Sequence, residues 1–280
     1  SLPNDFWEQE RQLNDGDNIE LYKYVSRRYF DLIRNFRRYY WLLIYLFSAS
    51  PVTDTSFVQG RPHSLQALGT GDLYSPNATS LRMGDLGYQS VAQKSLFVCY
   101  NELSSYIETL NQAIHIPYAD YEAFGTLKEG TYQQLSTSLL QIENEFYSPI
   151  RPKRVTNSDE TPLQALNRRG VEYIEVRCID INPFHELGID SNTIHFLDVF
   201  LLTCLAMDSP QCDKEEFALI GRNQSAIVNN GRDPKLRIHC GKQERPMKEM
   251  AQEFLANASL IAKELDRANS DGTNAKSNAY

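Results

Sequence analysis

The chain has 280 residues and a formal net charge of −8, with ordinary apolar and charged fractions. Such a length holds one large domain or two small ones with a real core. The acidic balance argues against a nucleic-acid partner, which needs a basic surface to displace counterions. The most apolar run, Tyr39 to Phe47, is too short to span a bilayer, and arginines precede it directly. No membrane partner is therefore expected.

Five cysteines (Cys99, Cys178, Cys204, Cys212, Cys240) form no C-x-x-C pair, and five histidines show no metal-ligand spacing. Buried free thiols in a reducing cytosol fit this pattern better than disulfides or zinc. With no signal peptide in view, a cytoplasmic protein is expected. The chain begins at Ser1 without methionine and ends in a polar tail, so a piece of a longer protein is expected.

Asp17 and Glu20 make a capping-box pattern. Tyr22, Val25, Tyr29, Leu32, Phe36, Tyr40, Leu43 and Phe47 then recur at helical steps, predicting a long helix whose second half is buried. Arg27, Arg28, Arg34, Arg37 and Arg38 along it read as a solvated face or internal ion-pair partners. Residues 51–88 lack a period and read as a long ordered loop. A second helix is expected from Gln89 to His115, with a buried stripe of Leu96, Cys99, Leu103, Tyr106, Leu110 and Ile114, and a short one from Ala119 to Phe124. Residues 134–147 stay ambiguous between strand and loop.

Further on, Ile150–Val155 reads as a strand, and Pro162–Arg168 as a short helix opened by Thr161 with proline at its first position. After Gly170 a strand is expected over residues 171–180. Helices follow over Ser191–Met207 and Lys214–Asn230, the latter closed by Gly231 as a left-handed cap. Leu236–Cys240 suits a short strand. Met247 to Leu265 makes a last amphipathic helix, and residues 267–280 make a polar tail where disorder is expected. Long helices with few strands imply an α+β fold, helices packed beside an antiparallel sheet.

Three segments concentrate chemistry. On the 171–180 strand, alternation places Ile174, Val176 and Cys178 on one face and Tyr173, Glu175 and Arg177 on the other. A carboxylate beside a guanidinium suits a metal ion and a phosphate held together; it equally suits an ordinary ion pair on a solvated face. In Asn77–Tyr88, Arg82, hydroxyls such as that of Ser80, and Tyr88 suit a small zwitterion, or else Arg82 simply pairs with Asp85. Gln141–Arg154 packs acids, amides, Tyr147 and then cations, with Arg151 and Lys153 sharing one strand face as possible phosphate contacts. No P-loop, dinucleotide fingerprint, G-x-S-x-G elbow or H-E-x-x-H is present.

Gly170-Val171-Glu172-Tyr173-Ile174-Glu175-Val176-Arg177 followed by Asp180-Ile181-Asn182-Pro183-Phe184 resembles the bacterial-type glutamate–cysteine ligases. So do Ala78-Thr79-Ser80-Leu81-Arg82 with Asp85-Leu86-Gly87-Tyr88, and Leu140–Glu145 with Tyr147 and Ile150–Val155, in the family's order and spacing. Ser1-Leu2-Pro3 and Ser50-Pro51 agree as well.

The resemblance implies a glutamine-synthetase-like catalytic fold, an antiparallel sheet curved around the site and flanked by long helices. It makes residues 1–266 part of one catalytic domain and implies ATP-dependent joining of the glutamate γ-carboxylate to the cysteine amine, the first step of glutathione synthesis. Substrates would be glutamate, cysteine and ATP, with Mg2+ or Mn2+ assisting. By the same resemblance Glu175 holds metal, Arg177 contacts the transferring phosphoryl group, Arg82 and Ser80 bind substrate, and Tyr88 and Tyr147 wall the cysteine pocket. The family's other metal ligands lie in a part preceding Ser1, so the isolated chain is expected to be inactive. Two other readings stay open: another ATP-dependent carboxylate–amine ligase on the same frame, and a non-catalytic helical interaction module.

Overall fold

The computed structural model describes residues 8–9, 20–87 and 92–270. They combine helices with small antiparallel sheets and group into two compact units. The first unit is Ser1–Arg34, Gln89–Arg177 and Ser209–Cys212; the second is Asn35–Tyr88, Cys178–Asp208 and Asp213–Tyr280. Helix α1 (Leu21–Phe47) contributes its first part to one and its second part to the other. Asp17 of the capping pattern lies outside the described residues, but the Glu20 carbonyl accepts the Lys23 and Tyr24 N–H groups at the start of α1.

In the first unit, Phe30 of α1 packs against Tyr100 and Tyr106, the latter edge-on with ring centroids 5.9 Å apart. Arg34 is buried and fully used: it pairs with Asp31 and donates to the carbonyls of Tyr100, Asn101 and Ser209. The expected second helix is corrected here. Helix α2 covers only Leu103–Ala113; before it lie a 3-10 turn at Ala92–Ser95 and chain without regular secondary structure. Residues 96–102 are not helical, and there the Tyr100 and Asn101 carbonyls accept from Arg34. Asn101 is further tied to the Cys212 backbone in both directions. Helix α3 (Ala119–Phe124) follows, then the two-residue strands β4 (Leu127–Lys128) and β5 (Thr131–Tyr132), and Glu143–Glu145 forms a 3-10 turn.

The ribbon that matters for function is antiparallel β6 (Ile150–Lys153) with β7 (Tyr173–Val176). β7 is four residues long, not ten, because past Arg177, whose N–H goes to Pro149 O, its ladder ends. Helix α4 (Pro162–Arg169) joins the two strands, its Thr161–Gln164 capping box complete and Glu143 accepting from Thr161 Oγ1 and Leu163 N–H. It closes on Gly170 at φ +70°, where a Cβ would sit 2.4 Å from Ser26 Oγ.

In the second unit, Phe36, Tyr40, Trp41, Leu42, Leu43 and Ile44 are buried, as the apolar second half of α1 requires. Phe36 meets Phe200 edge-on, and Phe200 meets Phe254, with centroids 5.7 and 4.7 Å apart. Those partners come from α5 (Ser191–Ala206) and, beyond α6 (Lys214–Asn230) and the hairpin β8 (Arg237–Cys240) to β9 (Gln243–Pro246), from α7 (Met247–Ser270). Asn35 Nδ2 closes the end of α5 on the carbonyls of Cys204 and Met207. Arg38 grips Glu216 with two hydrogen bonds.

The stretch read as a loop over 51–88 instead contains a three-stranded sheet, β1 (Val52–Asp54), β3 (Asp72–Tyr74) and β2 (Gln66–Leu68) in that order. Three-residue strands are too short to print a period. Residues 267–270 continue α7 rather than a tail, and residues 271–280 lie outside the described set. Gly231 is right-handed (φ −60°, ψ −22°). What it needs is space: a Cβ there would lie 2.5 Å from both Ile227 O and Thr79 Cγ2. All five cysteines are free; Cys178, Cys204 and Cys212 are buried, Cys99 is half-buried and Cys240 is exposed.

Candidate functional site

The β6–β7 register sets Arg151 opposite Glu175 and Lys153 opposite Tyr173. Cross-strand partners share a face, so Arg151, Lys153, Tyr173 and Glu175 stand together, and Arg177 comes two positions after Glu175. Three cations around one carboxylate make this face suited to a polyanion. The shares differ. Arg151 is only 7% exposed, set beside the buried Tyr106 phenol. Burial pushes that phenol's pKa up while Arg151 pulls it the other way. Lys153 Nζ stands 3.7 Å from Glu175 Oε2.

Glu175 Oε2 is shut off from solvent yet accepts no hydrogen bond. Lys153 is its ion-pair partner but stands beyond hydrogen-bond distance, and a carboxylate oxygen out of solvent with no hydrogen bond is costly. A divalent cation would relieve it, and hard carboxylate oxygen is the donor such an ion takes. Glu175 therefore fits as one ligand. Among the described residues no three of His, Cys, Asp and Glu group as a metal site. Magnesium commonly takes one or two carboxylates plus phosphate oxygens and waters, so a single protein ligand on this face is compatible with it.

Arg177 is held from the segment before β6. Its guanidinium lies 5.2 Å from the centre of the Tyr147 ring, and the Tyr147 hydroxyl donates to the Arg177 carbonyl at 3.3 Å. Tyr147, read as a pocket wall, is thus in contact with the catalytic candidate itself.

In the second unit the organising group is Asp180, a residue to which the sequence reading assigned no role. It is buried, and each of its oxygens has two partners. Oδ1 accepts from Arg82 Nε at 2.6 Å and Ser80 Oγ at 3.3 Å; Oδ2 accepts from Ser50 Oγ at 2.7 Å and the Ala49 N–H at 2.9 Å. Burial pushes the Asp180 carboxyl up, but the bonds from Ser50, Ala49 and Arg82 outweigh it and hold it below the usual carboxylate range. Arg82 also donates to Ile179 O at 3.0 Å. Ser80 is fully buried, its hydroxyl within reach of Ser50 and Asp180. Nothing in the local spacing names an acid 98 residues away as the partner of Arg82.

Asp180 also borders a cavity of about 200 Å³ with Phe47, Ser48, Ile179, Pro183, Phe184 and Thr193 among its lining. Ser48 Oγ is buried without a partner. Neighbouring Cys178 is buried, which pushes its thiol up to about 12 and leaves it inert. Tyr88 lies outside the described residues. No helix among those described is long and apolar enough to cross a membrane.

The family described as Glutamate-cysteine ligase matches residues 1–227. A glutamate–cysteine ligase of Hahella chejuensis is 49% identical over 270 residues, covering 95% of this chain and 51% of that protein. One from Saccharophagus degradans is 52% identical over 271 residues, again 51% of its length. The crystal structure of a Francisella tularensis glutamate–cysteine ligase in complex with AMP superposes with a TM-score of 0.84 at 36% identity, covering 93% of this chain and 51% of that one. A bifunctional glutathione synthetase from Pasteurella multocida shares the fold alone, at 22% identity and TM-score 0.63. The chain belongs to the glutamate–cysteine ligase family. It spans about half the length of the curated relatives it matches.

Proposed function

We propose that this chain carries part of the catalytic apparatus of a cytoplasmic, ATP-dependent ligase that joins the glutamate γ-carboxylate to the cysteine amine, opening glutathione synthesis. The observation that carries the reading is the Glu175–Arg177 pair: a carboxylate oxygen that accepts no hydrogen bond and has the Lys153 ammonium 3.7 Å away, two residues from a guanidinium backed by an aromatic ring. Family membership and the AMP bound by the Francisella relative support a nucleotide substrate. We place residues 1–266 in one catalytic domain on a glutamine-synthetase-like frame.

A carboxylate is a poor electrophile, so the γ-carboxylate first takes the terminal phosphoryl group of ATP, and the cysteine amine then displaces phosphate. Such transfer depends on positioning and charge stabilisation. Arg177 donates to the equatorial oxygens as charge spreads over them. Lys153 and Arg151 add positive potential to the same face. A magnesium or manganese ion, when bound, neutralises phosphate charge, and Glu175 is the residue here that would hold it. In the second unit Arg82, oriented by Asp180, takes an amino-acid carboxylate, with Ser80 completing the Asp180 cluster. Tyr88 and Tyr147 serve as pocket walls.

Arg177→Lys in the intact protein tests this. One ammonium cannot reproduce the planar fork, and ADP release with glutamate and cysteine is expected to fall about 100-fold or more, as for a lost transition-state donor. Wild-type turnover would remove Arg177 from the mechanism. Cysteine against hydroxylamine as acceptor separates this ligase from others on the same frame. The 280-residue chain alone is expected to form no dipeptide.

A further inference from the structure

Gln93 lies in the 3-10 turn Ala92–Ser95. Its carboxamide is used at both ends: Oε1 accepts the Tyr147 N–H at 3.1 Å and Nε2 donates to Glu145 O at 3.1 Å. A neighbouring strand offers the same donor and acceptor. One side chain thus stands in for a strand where residues 145–147 pair with no strand among the described residues. Tyr100 adds a second tie, its hydroxyl donating to Ser148 Oγ at 2.8 Å. Tyr147, fixed in this way, sets its ring against the Arg177 guanidinium and its hydroxyl on the Arg177 carbonyl.

We infer that Gln93 is a positioning residue for Arg177, acting through Tyr147. This rests on the role given to Arg177 above. An arginine carries several rotatable bonds, and donors aimed in advance at developing charge are worth far more than donors recruited during reaction. Stacking on a ring that is itself held at its backbone restricts the guanidinium before substrate arrives. Gln93 touches no reacting atom in this scheme.

The test compares Gln93→Leu and Gln93→Glu with wild type in the intact protein. It uses the NMR signal of the Arg177 Nε–H, which a ring current from Tyr147 at this distance is expected to displace, together with kcat and KM. In Gln93→Leu the signal is expected to lose that displacement and kcat to fall about tenfold or more, while KM for ATP stays within about twofold, since misplacement acts on the transition state. Gln93→Glu keeps the acceptor for Tyr147 N–H but turns an acceptor on Glu145 O, so an intermediate loss is expected. Thermal unfolding midpoints verify folding, and the Glu variant carries the test if the Leu variant does not fold. An unmoved Arg177 signal in a folded variant overturns the inference, as does a moved signal with wild-type kcat. Arg177→Lys separates the two claims: if it is impaired while the Gln93 variants are not, positioning alone falls. If it too turns over normally, the role of Arg177 has fallen.

Discussion

Asp180 accepts from Arg82 Nε at 2.6 Å across 98 residues of sequence, and no oxygen of Asp180 is left with fewer than two donors. This joins the loop around Ser80 to the segment that follows Cys178 and gives the second unit a charged centre inside its packing.

Replacing the acid tests how much that centre holds. Asp180→Asn puts an amide NH2 against several donors and removes the Asp180 charge from beside Arg82. Because the Arg82 side chain is 28% exposed, the loss is expected toward the low end for a broken buried pair, about 2–3 kcal/mol. Urea unfolding measures it, and a change within error would mean that the cluster is held by its neighbours instead.

The same pair of proteins carries a pH signature. The Asp180 carboxyl is depressed in the folded state. The unfolded chain therefore binds the proton first, and the stability it contributes is complete above the unfolded value and disappears as pH falls through the folded one. The gap between wild type and Asp180→Asn should be flat from about pH 7 to 5 and shrink below about pH 4. A gap that widened in acid would contradict the assignment.

Glu175→Gln removes the charge that would attract a cation while keeping the shape. In the intact protein the Mg2+ concentration for half-maximal turnover is expected to rise about tenfold or more, the scale of losses seen when a metal's protein environment is altered. An unchanged metal titration would place the ion elsewhere.

Two glycines of helical backbone should respond oppositely to alanine. At Gly231 a Cβ meets Ile227 O and Thr79 Cγ2 at 2.5 Å, and a loss of about 1–3 kcal/mol is expected from overpacking. At Gly221, on the exposed side of α6, nothing lies within 4 Å, and a gain of up to about 1 kcal/mol is expected from helix propensity. Thermal melts of the two variants check both signs.

Much of the helical frame was legible before the structure. α3, α4, α5 and α6 fall at or within a residue of their expected bounds, because caps such as Thr161, Asp190 and Asp213 sit where the apolar period begins. The second helix starts later than its period implies: Leu96 and Cys99 keep a helical spacing, yet the chain there is tied to Arg34 of a distant segment instead. The sheet of 51–88 was missed because three residues cannot display alternation. For the site, Glu175 and Arg177 could be singled out since their spacing on a strand is local. Asp180 and Gln93 could not, since their partners Arg82 and Tyr147 lie 98 and 54 residues away.

Periodicity, caps and short motifs by themselves determined the long helices, the Glu175–Arg177 pair and the kinship with a ligase family. All of these depend on side chains a few positions apart. Only the tertiary structure decided that Glu175 keeps an oxygen without a hydrogen-bond partner, that Arg82 is held by Asp180 and that Tyr147 supports Arg177. Those outcomes depend on burial and on which distant donors arrive, and a buried polar group accepts whatever partner the completed packing brings to it.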